Sequence, residues 1–320
     1  MSIRTTVIGS YPKVTESGAD NLPGVIDRWQ RKLVNDEALE QEIQKVIRRV
    51  IGEQEQASLD LITDGQIRWE DLAHPIVQAV QGLKRGTLRR FFDNNVYYRR
   101  VELNGHLNWQ KSVVADEFLF ATHAAKKPVK TVLPGPLTLV ISTELKPNQS
   151  REWLLSSYAD LLRKEVEALV KAGVKELQLD EPAFTPKDPL VPKAVEAINQ
   201  IFKGVTARKW VACYFHDVAP ILPQLAKLQV DVLSVDAVAN PQIVKQLRSR
   251  IWPKEIALGL IDARNTKLEL ADDIKRQIVQ VSDAIPLDSL WLTPNSGLEF
   301  LPHESAVKKL QLLKQVASTL

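Results

Sequence analysis

The sequence alternates between short apolar runs and segments of helical periodicity, and this alternation restricts the fold more than any other feature. Eight runs of six or seven residues are rich in β-branched and other apolar side chains, and each ends at a polar or turn-forming residue. Such runs predict buried β-strands. They cover residues 5–10, 59–64, 129–134, 174–180, 209–215, 230–236, 256–262 and 289–294.

Helical patterns with apolar residues three and four apart lie between these runs. They cover residues 36–57, 71–82, 150–172, 189–203, 217–228, 240–250, 270–284 and 303–319. Eight strands that alternate with helices predict an α/β fold of the (β/α)8 TIM-barrel type. A doubly wound open sheet is the alternative, and the count of eight favours the barrel.

Residues 84–110 break the pattern, because they are basic and aromatic rather than helical. We interpret them as a β-hairpin inserted after the second strand, with Asp93-Asn94-Asn95 at its turn. No repeat, low-complexity tract or linker interrupts the chain. We therefore predict that residues 1–320 form a single barrel domain.

Composition excludes several classes of protein. The chain has 320 residues with 44% hydrophobic and 25% charged side chains, which is typical of a globular protein. One cysteine excludes a disulfide framework, and a net charge of +3 gives no indication of a nucleic-acid partner. No apolar run reaches the roughly 18 residues of a membrane helix, and the first residues lack a signal-peptide pattern. We expect a soluble, cytoplasmic protein with no membrane partner.

In a barrel of this type the active site forms at the carboxyl ends of the strands. The adjacent carboxylates Asp180 and Glu181 should point in opposite directions, so that one of them at most faces the mouth. Polar residues at the predicted strand ends suggest a polar ligand site. They are Ser10, Asp64, Gln66, Asp180, Glu181, Cys213, His216, Asp236, Asp262, Arg264, Asn295 and Ser296.

Cys213 is the only thiol, and its simplest interpretation is a small buried apolar residue. Cys213 and His216 face opposite sides of a regular strand, which argues against a nucleophilic Cys-His pair. Together with Asp236 they supply at most three metal ligands, whereas zinc sites usually have four.

Six motifs occur in the order found in cobalamin-independent methionine synthase, and the chain resembles that family over residues 5–317. The motifs are Thr6-Val7-Ile8-Gly9-Ser10-Tyr11-Pro12, Asp64-Gly65-Gln66, Leu133-Pro134-Gly135-Pro136-Leu137-Thr138, Leu179-Asp180-Glu181-Pro182-Ala183, Leu258-Gly259-Leu260-Ile261-Asp262 and Trp291-Leu292-Thr293-Pro294-Asn295-Ser296-Gly297-Leu298. Other segments are more similar to the zinc-free N-terminal barrel of the two-barrel family enzymes, among them residues 92–98, 213–218 and 259–265.

The resemblance implies methyl transfer from a methyl-folate or another methyl donor to the sulfur of homocysteine. It implies substrate contacts at Ile8, Gly9, Ser10, Gln66, Asp180 and Ser296, and catalytic roles for Asp180, Cys213 and Asp236. The family's catalytic barrel binds zinc through His, two Cys and Glu. Those four positions carry Val211, Cys213, Ser296 and Asp236 here.

The sequence leaves three functions open: a methyltransferase, a folate- or amino-acid-binding subunit that works with a zinc-bearing partner barrel, and metal-free acid–base chemistry on the same rim. We expect the isolated chain to bind no stoichiometric zinc, unless His216 turns inward as a substitute ligand. We also expect six side chains to converge on one cavity: Ser10, Gln66, Asp180, Cys213, Asp236 and Ser296.

Overall fold

The computed structural model describes residues 3–18, 22–92, 94, 96–248, 252 and 254–320. They form an α/β fold with a curled parallel sheet in the order β1-β10-β9-β8-β7-β6-β4. A second sheet has the order β2-β3-β5. The strands are β1 (Arg4–Thr5), β2 (Val80–Arg90), β3 (Tyr97–Trp109), β4 (Lys130–Pro134), β5 (Thr143–Glu144), β6 (Glu176–Asp180), β7 (Arg208–Cys213), β8 (Val232–Asp236), β9 (Glu255–Ile261) and β10 (Leu290–Pro294).

The helices largely follow the amphipathic patterns of the sequence, and the predicted caps of two of them are confirmed. Asn35 accepts a hydrogen bond from the Ala38 amide, and Ser150 accepts one from the Trp153 amide. The helices are α1 (Leu22–Gln30), α2 (Asp36–Gln56), α3 (His74–Ala79), α4 (Val114–Ala124), α5 (Pro136–Ser142), α6 (Arg151–Lys171), α7 (Val191–Ile201), α8 (Leu222–Leu225), α9 (Ile243–Arg248), α10 (Ala271–Ser282) and α11 (His303–Ala317).

The predicted strand at 59–64 contributes only two bridging residues. Leu61 bridges Thr6 beyond the end of β1, and Ile62 bridges Val129 next to β4, both in parallel orientation. These bridges join the two edges of the seven-stranded sheet, so the sheet curls round on itself like a barrel. In place of the predicted helix 217–228 there is a single 3-10 turn at Ala219–Ile221 followed by the short α8, since Pro220 and Pro223 each remove a backbone donor.

Residues 80–109 contain two long strands that pair antiparallel, from Val80 opposite Trp109 to Arg90 opposite Tyr97. The strands therefore begin before residue 84, at the point where helix α3 ends. One residue of the predicted turn, Asn94, is described by the structure. Its backbone amide donates a hydrogen bond to the Phe91 carbonyl. Asp93 and Asn95 lie outside the described residues.

Side chains alternate between two environments along each parallel strand. In β7, Val211 and Cys213 belong to the large apolar core between sheet and helices. Trp210 packs with inward-facing residues of other strands, and Ala212 packs with Ile8 and Tyr214 inside the curled sheet. Since successive side chains of a strand point to opposite faces, the interior of the barrel and the sheet–helix layer are lined by separate sets of residues.

The lower end of the barrel is filled by charged and aromatic side chains. The Glu255 carboxylate accepts hydrogen bonds from Arg4 at 2.5 Å and from the indole of Trp291 at 2.6 Å, and it also pairs with Arg208. The Arg4 guanidinium lies 4.2 Å from the centre of the Trp291 ring, where a cation is attracted by the ring face. Glu255 therefore connects β1, β7, β9 and β10.

Replacing Glu255 by Ala should lower the free energy of unfolding by about 2 kcal/mol, because two guanidinium groups and one indole N–H lose a shared, partly buried acceptor. Urea unfolding measures the effect. Asp272→Ala is the matched control, since Asp272 pairs with Lys275 of the same helix and its side chain is 81% exposed. The control should change stability by less than about 0.5 kcal/mol. Equal effects of the two changes would contradict the role of Glu255.

Candidate active site

A narrow cavity opens at the carboxyl ends of the parallel strands. Of the residues with predicted substrate contacts, Ile8, Ser10, Gln66 and Asp180 line it. Three of these are polar and almost fully buried, with 7% exposure for Ser10, 7% for Gln66 and 2% for Asp180. The other lining residues are Glu70, Asp71, Leu72, Phe91, Val96, Tyr97, Tyr98, Tyr214, Gly297, Glu299 and Phe300.

Two glycines allow the loops at the mouth to approach one another. A Cβ at Gly297 would lie 1.9 Å from the Ser10 hydroxyl, and a Cβ at Gly9 would lie 2.7 Å from the Gln66 amide nitrogen. The Leu298 amide also donates to the Ser10 carbonyl at 2.9 Å. The predicted contact segments that follow β1 and β10 therefore meet at Ser10, and Gln66 lies against the first of them.

Asp180 is the buried carboxylate at the floor of the cavity. Its oxygens accept hydrogen bonds from the Gln178 amide at 2.6 Å and the Tyr214 hydroxyl at 2.9 Å. Burial raises the pKa of Asp180 to about 7, although both hydrogen bonds and the charge of Lys130 oppose this rise. Asp180 can therefore exchange a proton, or bind a cation, near neutral pH.

Lys130 lies inside the barrel below Asp180, with 2% exposure. Its ammonium group donates to the Val7 carbonyl at 2.7 Å and lies 4.7 Å from the centre of the Trp210 ring. Burial lowers the pKa of Lys130, and the negative charges of Asp180 and Glu176 partly restore it. The sequence pattern did not single out Lys130, Gln178 or Tyr214, because each belongs to a run that was interpreted as an apolar strand.

Glu181 points away from the cavity, as the alternation of neighbouring carboxylates predicts. It accepts hydrogen bonds from the amides of Leu137 and Thr138, both at 2.9 Å, and from the Thr138 hydroxyl at 2.7 Å. These contacts satisfy the first amides of helix α5. Glu181 therefore holds α5 against β6 and leaves Asp180 as the carboxylate of this pair at the mouth.

Aromatic residues from the 80–109 segment cover part of the mouth. The Phe91 ring packs against Tyr98 and Phe215, with centroid distances of 5.8 and 5.9 Å, and Phe215 contacts Phe300 at 5.6 Å. Gln66, Phe92 and Phe215 also have positive φ angles of 54°, 52° and 74°. Such backbone conformations are uncommon for residues other than glycine, and they concentrate at functional sites.

A family model for the catalytic domain of cobalamin-independent synthase matches residues 3–319. The chain belongs to this family. Two relatives in it are the methionine synthase of Sulfurisphaera tokodaii, which is 27% identical over 96% of this chain and 89% of its own length, and that of Sulfolobus acidocaldarius, with 26% identity over 96% and 88%.

Two solved structures share the fold of this synthase-family chain. A B12-independent methionine synthase from Shewanella sp. W3-18-1, in complex with selenomethionine, superimposes with a TM-score of 0.82 at 22% identity, over 100% of this chain and 98% of its own. A putative vitamin-B12 independent methionine synthase from Listeria monocytogenes gives a TM-score of 0.73 at 19% identity, over 100% and 99%. Among the described residues of this chain, no helix is long and apolar enough to cross a membrane.

Cys213 does not line the cavity, which corrects the expectation that it converges with Ser10 and Asp180. It is 1% exposed in the core between sheet and helices, because Ala212 and Tyr214 take the inward positions on either side of it. Burial, together with the negative charges of Glu181 and Asp180, raises the pKa of the Cys213 thiol well above its usual value. A protonated, inaccessible thiol is suited neither to nucleophilic attack nor to metal binding.

Asp236 and Ser296 lie beside the cavity rather than in its lining, which corrects the same expectation for them. The Asp236 carboxylate accepts hydrogen bonds from the amides of Phe215, Val238 and Ala239 and from the Asn295 side chain, all at 2.8–3.2 Å. The sequence placed Asn295 on the rim but gave it no role, and the structure shows that it connects Asp236 to the loop after β10. Asp236 therefore holds that loop in place.

The side chains at the family's zinc positions do not fit zinc. Val211 offers no ligand atom, Cys213 lies in the apolar core, and the lone pairs of Asp236 are taken by protein donors. Ser296 offers only a neutral hydroxyl. His216 packs its ring 5.5 Å from Phe92. Within the described ranges, no group of three or more His, Cys, Asp and Glu residues is arranged to hold a metal, so Cys213, His216 and Asp236 do not form the metal set considered from the sequence.

Gly297→Ala should weaken the binding of methionine in the cavity and cost about 1–3 kcal/mol of stability, because the new methyl group displaces the Ser10 hydroxyl. Calorimetric titration and urea unfolding measure the two effects. Gly52→Ala is the control, since nothing lies within 4 Å of a Cβ at that helical position. The control should gain about 0.5–1 kcal/mol and bind normally. Unchanged binding in Gly297→Ala would contradict the close approach of the two loops.

We expect the purified chain to retain less than about one zinc per ten molecules after dialysis against a mild chelator, since a tight site needs about four suitable ligands. Elemental analysis gives the ratio. Cys213→Ser and His216→Ala serve as comparisons. About one zinc per chain, lost in either variant, would contradict the interpretation of these positions.

Proposed function

We propose that the chain transfers a methyl group to the thiol of homocysteine at the mouth cavity. The observation that carries this proposal is the family match over residues 3–319, combined with a cavity lined by Ser10, Gln66 and Asp180. The methionine synthase relatives match over 88–89% of their own lengths. This supports the proposal that a chain of this size carries out the methyl transfer.

The polar groups of the cavity are complementary to the two ends of an amino acid. Asp180 supplies a carboxylate for the substrate's ammonium group. The buried Gln66 amide nitrogen has no hydrogen-bond partner among the described residues and can donate to the substrate's carboxylate. The Ser10 hydroxyl interacts with the Glu299 carboxylate and would have to exchange that partner to donate as well. Tyr214 and Gln178 are positioning residues, since their hydrogen bonds orient Asp180. The thiol is then held near the outer, aromatic part of the cavity.

We also infer the finer architecture that this site requires. The parallel bridges at Leu61 and Ile62 support a closed (β/α)8 barrel, and the antiparallel pair β2–β3 supports a hairpin inserted between its second and third strands. In such a barrel the mouth collects residues from several strand ends, which agrees with the positions of Ser10, Gln66 and Asp180.

A second candidate is a folate- or amino-acid-binding subunit that works with a zinc-bearing partner barrel. The unsuitable zinc positions favour it. The two functions differ in what the chain does alone: the methyltransferase forms methionine from homocysteine and a methyl donor, whereas the binding subunit takes up the amino acid but forms methionine only with its partner.

The test is binding and turnover with Asp180→Asn. Methionine and homocysteine should bind about 10- to 100-fold more weakly to this variant, because a hydrogen bond to a charged group is worth about 1.5–3 kcal/mol. Asp262→Asn is the control, since Asp262 does not line the cavity and its Oδ1 accepts from the Arg264 amide. Failure of the unchanged protein to bind either amino acid would overturn the proposed function.

The binding of methionine should strengthen as the pH rises from 6 to 8. Because burial raises the pKa of Asp180 to about 7, the carboxylate that attracts the ammonium group gains population as the pH passes through that value. Asp180→Asn should remove this pH dependence. Calorimetric titrations at several pH values give both curves, and an unchanged affinity between pH 6 and 8 in the unsubstituted protein would contradict the assignment.

A further inference from the structure

Three successive backbone carbonyls lead into the segment that carries Ser10, and each accepts a hydrogen bond from a side chain. The pairs are Lys130 to Val7 at 2.7 Å, Gln178 to Ile8 at 2.8 Å and the Thr63 hydroxyl to Gly9 at 2.8 Å. Strand β1 ends at Thr5, so these three carbonyls lie beyond the strand. The three side chains therefore fix the course of the chain toward the cavity.

Of the three donors, Lys130 is the one that belongs to a basic residue. Its side chain is 2% exposed, and its ammonium group lies 4.7 Å from the centre of the Trp210 ring. Removing an ammonium group from water is unfavourable, whereas the neutral groups of Gln178 and Thr63 donate to the next two carbonyls without that penalty. The hydrogen bond to the Val7 carbonyl alone therefore does not explain a lysine at this position.

The charge of Lys130 acts on two carboxylates of strand β6. Lys130 lies opposite Glu176 in the parallel pairing of β4 with β6, and Asp180 lies at the other end of β6, at the cavity. Glu176 has a second cation in Arg208, whose guanidinium nitrogen lies 3.9 Å from its carboxylate. Asp180 accepts its hydrogen bonds from an amide and a phenol, so the positive charge that favours its anionic form comes from Lys130.

The other titratable groups around Asp180 do not supply positive charge. Burial raises the pKa of Asp180, and the negative charge of Glu299, after β10, adds to this rise. Tyr214, after β7, donates to Asp180 and stays protonated, because burial raises the pKa of its hydroxyl well above the usual value. Glu181 accepts from the first amides of α5 and points away from the cavity. Among these groups, Lys130 is the cation that opposes the effect of burial.

We propose that Lys130 is a positioning residue for the methyl transfer, which directs segment 7–10 into the cavity through its hydrogen bond and keeps Asp180 anionic through its charge. This rests on the proposed function, in which the anionic Asp180 attracts the substrate's ammonium group. A fixed segment 7–10 places Ser10 at the mouth in the same arrangement. One buried side chain thus sets both the geometry and the charge of the site.

The test is the pH dependence of methionine binding, measured by calorimetric titration in the unsubstituted protein, Lys130→Met and Lys130→Arg. Lys130→Met removes the charge, which raises the pKa of Asp180, so the pH at which binding is half-maximal should rise by about one pH unit. Lys130→Arg keeps the charge, and its midpoint should stay close to that of the unsubstituted protein. A role confined to packing would change the affinity at every pH and leave the midpoint where it was.

Lys254→Met is the matched control, because Lys254 is also a buried lysine that donates to backbone carbonyls. It is 8% exposed, and its ammonium group donates to the Ala226 and Leu228 carbonyls. It directly precedes β9, at the amino ends of the strands, whereas the cavity lies at their carboxyl ends. Its replacement should leave the midpoint of methionine binding unchanged. Equal shifts in Lys254→Met and Lys130→Met would contradict the role of Lys130.

Lys130→Gln separates the charge from the hydrogen bond and replaces Lys130→Met if that variant does not fold, which thermal unfolding shows. The Gln amide keeps a donor for the Val7 carbonyl but carries no charge, so the midpoint should rise here too. An unchanged midpoint in a folded, uncharged variant would overturn the proposal. An equal rise in Lys130→Arg would overturn it as well, because the charge is still present there.

Titration of Asp180 without a ligand separates this proposal from the proposed function. The 13C signal of its carboxyl group, assigned by its loss in Asp180→Asn, reports the pKa by nuclear magnetic resonance. If methionine binds but the pKa of Asp180 is the same with and without Lys130, the role of Lys130 fails and the proposed function stands. If neither methionine nor homocysteine binds while that pKa still rises in Lys130→Met, the proposed function fails and the effect of Lys130 on Asp180 stands.

Discussion

Polar side chains that point inside the curled sheet take most of their hydrogen-bond partners from the strands that surround them. Glu255 does so at the lower end by accepting from Arg4 and Trp291. Higher in the barrel, Lys130 donates to the Val7 carbonyl and Gln178 donates to both the Ile8 carbonyl and Asp180. Polar side chains thus occur at several levels inside the curled sheet, and Asp180 is the one at the cavity.

Asp180 and Asp236 differ in their surroundings, because Asp180 lines the cavity and Asp236 does not. Both carboxylates are almost fully buried, with 2% and 1% exposure, and burial raises the pKa of each. Asp180 receives its two hydrogen bonds from neighbouring side chains and still lines the cavity. Asp236 receives backbone amides of the loops around it, which are fixed donors that a substrate would have to displace. Similar burial therefore leaves one carboxylate at the cavity and commits the other to the loops around it.

The sequence predicted the elements of the barrel better than the residues that act in it. The apolar runs around Lys130, Gln178 and Trp210 are strands, but the same runs concealed the polar side chains that line the interior, because periodicity does not separate an inward residue from an outward one in a strand buried on both faces. Because Tyr214 points inside the curled sheet, its neighbour Cys213 points outward. The sequence alone does not show which of the two points inward, since that depends on the neighbouring strands. The segment 59–64 reads as a full strand, yet its bridges are limited to Leu61 and Ile62.

Uncommon backbone conformations occur at the part of the mouth that carries aromatic side chains. Gln66, Phe92 and Phe215 hold positive φ angles, which costs of order 1–3 kcal/mol at each residue. The Gln66 amide nitrogen has no hydrogen-bond partner among the described residues, and Gln66 lines the cavity. The Phe215 ring contacts both Phe91 and Phe300. The positive φ of Phe215 therefore accompanies the position of its ring between Phe91 and Phe300.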